Sequence, residues 1–104
     1  MTTPPNHIAI KVDRSKAAKI NEVLADDIVS RLSIVTRDSE ILGVPGDCIY
    51  VLLAGNPVGL GRAKELFETQ DVGRAVPPAV ADQVKKAIDA EEESAAMGMG
   101  NLFG

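Results

Sequence analysis

The sequence predicts an α+β fold, a sandwich of helices on one sheet, and three observations carry that prediction. Residues 48–54, CIYVLLA, form an almost unbroken apolar run of strand length, as expected for a strand buried on both faces. Residues 7–12 and 29–37 instead alternate apolar and polar side chains, the pattern of strands with one buried face. Between and after these stretches, apolar residues recur at the spacing of one helical face. A chain of 104 residues suffices for one such domain and is too short for two that each bury a core.

Residues 1–6 form a polar leader whose Pro4-Pro5 pair disfavours helix and ladder bonding alike, so they are expected to be loose. The domain proper then spans residues 7–90. In the first strand Ile8, Ile10 and Val12 share one face, and Ala9 and Lys11 the other. Asp13 or Ser15 can cap a helix over residues 15–26, with Ile20, Val23 and Leu24 on its buried side. The second strand, residues 29–37, places Leu32, Ile34 and Thr36 opposite Arg31, Val35 and Arg37, a polarity that suits a sheet edge.

Residues 38–47 form a connection in which Pro45-Gly46 suits a type II turn, glycine accepting the positive φ that such a turn requires. Its Ile41, Leu42 and Val44 either pack beneath the neighbouring strands or form a partner loop. After the central strand, Asn56 can cap a second helix and Pro57 suits its first turn, with Leu60, Ala63, Leu66 and Phe67 facing inward. A short fourth strand falls within residues 71–76. Pro77-Pro78 opens a further helix with a stripe of Val80, Val84, Ala87 and Ile88, ending near residues 90–93. Residues 91–104, EEESAAMGMGNLFG, change composition abruptly and read as a flexible tail.

This order fits a ferredoxin-like split β-α-β sandwich with an additional C-terminal helix. Right-handed crossovers would place the first and third strands side by side at its centre. One face of the central strand then packs on the crossover helices, and its other apolar face needs a cover. The C-terminal helix, a second copy of the chain or the tail itself must supply one. In layout the arrangement resembles ligand-sensing ACT-like domains and bacterial microcompartment shell domains.

With 15 carboxylates against 11 Lys and Arg, a net charge of −4, the chain lacks the broad basic footprint of a nucleic-acid binder. One cysteine excludes an internal disulfide and any cysteine-rich zinc site. No stretch reads as a signal peptide or a membrane span, so a cytoplasmic location is expected, and no residue pattern calls for a metal or cofactor.

Candidate chemistry in the domain is thin. Gly55, Asn56, Gly59 and Gly61 lie where a strand meets a helix N-terminus, a place that can hold an anion, yet they match no phosphate-binding pattern. Close helix packing explains the same glycines. His7 and Cys48 could form a catalytic pair only by meeting across adjacent strands, and no third orienting residue is evident. Asp26-Asp27 read as solvated surface, and Arg31 and Arg37 as charges that shield a sheet edge. The domain therefore offers no positive sign of an enzyme.

The tail does carry a signal. After Glu91, Glu92 and Glu93 come Met97, Met99, Leu102 and Phe103, a cluster that gains nothing by facing water and suits an apolar groove on another molecule. This ending, with its glycines and final Leu-Phe-Gly, resembles the C-terminal tails of archaeal ribosomal stalk proteins. The resemblance covers only the tail. It implies an archaeal, ribosome-associated setting in which Leu102 and Phe103 anchor a translation factor, either an elongation or initiation GTPase or the ribosome-recycling ATPase. Two readings follow: an interaction module that docks a partner through its tail, or a small-molecule-sensing or self-assembling domain, a homo-oligomer, with the tail as a latch.

Overall fold

The computed structural model describes the backbone of residues 7–103 and the side chains of residues 7–93. The loose leader expected at residues 1–6 lies outside the described residues. Four strands, β1 (His7–Val12), β2 (Ser33–Asp38), β3 (Ile49–Ala54) and β4 (Gly73–Ala75), form one sheet in the order β2-β3-β1-β4. Every neighbouring pair is antiparallel. Helices α1 (Ala17–Leu24), α2 (Ser39–Leu42), α3 (Pro57–Thr69) and α4 (Pro78–Phe103) complete the α+β fold. The first and third strands lie side by side at the centre and the more polar second strand at an edge, in the split β-α-β layout.

Alternation along the strands builds two cores. Ile10 and Val12 of β1 with Val51 and Leu53 of β3 face α1 and α3, where Ile20, Val23, Leu60, Ala63 and Phe67 meet them. Ala9, Tyr50 and Leu52 face the other way and are met by Ala81, Val84 and Ile88 of α4. The second apolar face of β3 is thus covered by the helix that Pro77-Pro78 opens. Its path is set where β4 ends: the Val76 amide donates to the Ala9 carbonyl at 2.9 Å, pinning the chain to β1 before the two prolines turn it across the sheet. Beyond the core, Arg37 of β2 pairs with Glu91 at 3.0 Å and His7 of β1 with Asp82 at 3.0 Å.

Several boundaries depart from the sequence expectation for local reasons. The Asp13 carboxylate accepts from the Ser15 amide at 2.9 Å and opens a 3₁₀ turn, Arg14–Lys16, so α1 begins only at Ala17. Residues 29–31 are not strand. The Asp26 carboxylate accepts from the Ile28 and Val29 amides, and Val29–Arg31 wind into another 3₁₀ turn that buries Val29. The connection after β2 contains α2, capped by Asp38 and closed by Gly43 at φ 69°. Gly46 does take a positive φ, but at 139° it lies well past the roughly +80° of a type II turn. Finally, α4 does not stop near residues 90–93 but continues to Phe103.

Candidate functional site

The glycine-rich start of α3 is filled by its own chain. Asn56 accepts from the Gly59 amide at 2.7 Å, capping the helix. A Cβ on Gly55 or Gly59 would come within 2.6 or 2.7 Å of Leu32 Cδ2, so both glycines make room for that side chain. Gly61 has open space around it. Close packing against Leu32 thus accounts for Gly55 and Gly59.

His7 and Cys48 do not meet. The register sets His7 opposite Ala54, whereas Cys48 precedes Ile49 at the far end of β3, about 20 Å away at the rise of an extended strand. Cys48 is buried, and its amide donates to the Ser39 hydroxyl at 3.0 Å. The Asp26 carboxylate, besides capping the turn after α1, takes a hydrogen bond from Arg62 of α3 at 3.1 Å. It therefore staples two elements, and the Arg62 guanidinium holds its pKa below the ordinary carboxylate value. Arg31 pairs with Asp27 and Arg37 with Glu91. The side chains of Met97, Met99, Leu102 and Phe103 lie outside the described residues.

One corner of the sheet is more open, and sequence reading missed it. On the face that α4 covers, the register sets Arg74 of β4, Lys11 of β1 and Tyr50 of β3 side by side. Lys11, at the middle of this row, lines two cavities. One, of about 290 Å³, is lined by Lys11, Lys16, Arg74, three aspartates and the turn Gly46-Asp47-Cys48. The other, of about 380 Å³, lies between Val44, Pro45, Tyr50, Val76, Pro77 and Val80, and again has Lys11 on its wall. The corner's shape depends on Tyr50, whose hydroxyl donates to the Pro45 carbonyl at 2.8 Å and whose phenol pKa burial pushes up. A Cβ at Gly46 would come within 2.8 Å of that hydroxyl, so the turn needs glycine there.

Electrostatically the corner divides into groups in contact pairs and two cations that carboxylates reach only from a distance, Asp13 acting on Lys11 and Asp71 on Arg74. Asp13 accepts from the Ser15 amide and hydroxyl, Asp47 from Arg14 at 3.1 Å, and Asp71 from Lys16 at 2.9 Å. Lys16 accordingly holds the Asp71 pKa low. No carboxylate among the described residues comes within ion-pair distance of Lys11 or Arg74. Both are exposed. Sequence alternation does place Lys11 on the face of β1 that carries Ala9, but nothing in the sequence discloses that Arg74 is its cross-strand partner.

Among the described residues no three His, Cys, Asp or Glu side chains converge as a metal site would require, and no helix is long and apolar enough to cross a membrane. Comparison with protein families, curated proteins and solved structures finds no match for this chain.

Proposed function

We propose that the protein is a non-enzymatic interaction module that docks a protein partner through its C-terminal segment, with Met97, Met99, Leu102 and Phe103 as contact residues. The observation that carries this reading is the second core. Ala81, Val84 and Ile88 occupy the apolar face of β3, so that face has a cover among the described residues themselves. The same helix covers the face on which a second copy of the chain would otherwise sit. Met99, Leu102 and Phe103 also stand at i, i+3 and i+4 along α4, the spacing by which helical ligands fill apolar grooves. By the resemblance of the segment to stalk tails, the partner is a translation GTPase or the recycling ATPase.

The test is a binding assay between the full chain and purified elongation GTPase or recycling ATPase. Wild type is expected to bind one of them, and the paired substitution Leu102→Ala with Phe103→Ala to abolish binding while the fold persists. Equal capture by wild type and variant would refute the reading.

A further inference from the structure

The corner at Lys11 and Arg74 supports a second binding role, independent of the C-terminal segment. Like charges directly opposite on neighbouring strands repel, and a protein that keeps such a pair needs something to offset it. Elsewhere nearby the chain supplies the offset itself: Arg14 pairs with Asp38 and Asp47, and Lys16 with Asp71. Lys11 and Arg74, partners in the β1–β4 register, have no carboxylate within ion-pair distance among the described residues, and Asp13 and Asp71 act on them only from farther off. Their charge borders the first cavity, which both line together with Asp13, Asp47 and Asp71.

Size and polarity narrow the ligand. The second cavity has largely apolar walls, from Val44, Pro45, Tyr50, Val76, Pro77 and Val80, and Lys11 stands between the two. Each volume lies near the lower end of the range for small-molecule sites, which begins at roughly 300 Å³. A macromolecule would find little flat surface here, and inorganic phosphate alone would leave the apolar cavity empty.

The geometry points to a small organic anion as ligand, its apolar body lying against Tyr50, Pro45 and Val76 and its carboxylate, sulfonate or phosphate held between Lys11 and Arg74. Charge-assisted hydrogen bonds fix the anionic end, and apolar burial supplies the rest of the affinity. The first turns of α4 form part of the apolar wall through Val80.

A fluorescence titration of the full chain with 1-anilinonaphthalene-8-sulfonate, a flat apolar body bearing one sulfonate, tests this directly. Binding is expected to saturate and to shift the amide resonances of Lys11, Gly46, Cys48, Gly73 and Val76. Lys11→Met combined with Arg74→Met should weaken it about tenfold or more, the loss of charged hydrogen bonds. Lys19→Met with Lys64→Met, at exposed cations outside the corner, should leave it unchanged. N-phenyl-1-naphthylamine, which lacks the sulfonate, should bind wild type and the Lys11/Arg74 variant alike. Unsaturable binding, resonance shifts confined to other elements, or equal sulfonate affinity in wild type and the Lys11/Arg74 variant would overturn the assignment. Since the site is assigned on residues outside the C-terminal segment, these results stand apart from the outcome of the partner-binding assay.

Discussion

The two faces of the sheet are closed by different means. One is sealed by helices that the split β-α-β topology places there: α1 and α3 pack Ile20, Val23, Leu60 and Phe67 onto Ile10, Val12, Val51 and Leu53. The other is covered by a single added helix, whose Ala81, Val84 and Ile88 are smaller in sum and whose ties include the exposed or half-buried pairs His7–Asp82 and Arg37–Glu91. The first face leaves no polar group among its buried residues. The second includes a tyrosine hydroxyl and a serine hydroxyl, both hydrogen bonded, and gives way to open space at Lys11. Stability thus resides on the first face, and the candidate binding features lie on the second face and on the helix that covers it.

Two core truncations should break that comparison most visibly. Phe67→Ala, in the fully buried centre of the first face, is expected to cost about 3–5 kcal/mol and to lower global stability in denaturant melts. Ile88→Ala should cost nearer 2 kcal/mol, the low end for an aliphatic truncation. Its hydrogen-exchange signature should also differ: α4 amides lose protection while those of β1 and β3 keep theirs. Equal global loss in both variants would mean that the two faces form one cooperative unit.

A smaller effect concerns how tightly the first face is built. Gly59→Ala would press a methyl group against Leu32 Cδ2, and overpacking of this kind costs about 1–3 kcal/mol. Shortening Leu32 to Ala in the same chain should relieve part of that penalty, so the two substitutions should couple in a double-mutant cycle of chemical denaturation. Additive losses would show that the notch has slack.

Acid should act more gently, through carboxylates paired with cations on several elements. Asp26 is held low by Arg62, Asp38 by Arg14 and Asp71 by Lys16. A carboxylate with a depressed folded pKa contributes stability that is fully present above its unfolded value, near 3.8, and lost as pH falls through the lower folded one. Thermal melts between about pH 5 and about pH 2 should therefore decline, and Asp26→Asn should flatten the decline while lowering stability at neutral pH. A decline as steep in the variant would remove Asp26 from the account.

Much of the fold was legible in the sequence because it rests on periodicity. The alternation of Ile8, Ile10 and Val12 and the continuous run through Val51 and Leu53 fix which faces are buried, and strand order follows from handedness. Local side-chain chemistry was less legible. The Asp26 carboxylate turns Val29–Arg31 into a 3₁₀ turn through bonds to the backbone that no periodic pattern records. The continuation of α4 past Glu93 runs through Gly98 and Gly100, residues of poor helix propensity that masked it. The Lys11–Arg74 corner was hidden for another reason: cross-strand register joins residues far apart in the chain, and a lone lysine in an alternating strand looks like ordinary solvent-facing charge.

We propose that Ala81, Val84 and Ile88 of α4 suffice to close the second face, leaving Leu102 and Phe103 for a partner. Differential scanning calorimetry of the full chain carrying Leu102→Asp and Phe103→Asp tests it most directly, since a charge placed in a packed core is strongly destabilising. A melting temperature within about a degree of wild type is predicted, because surface substitutions usually change stability by no more than about 0.5 kcal/mol. A fall of several degrees would mean that those two side chains are part of the core, and would contradict the account.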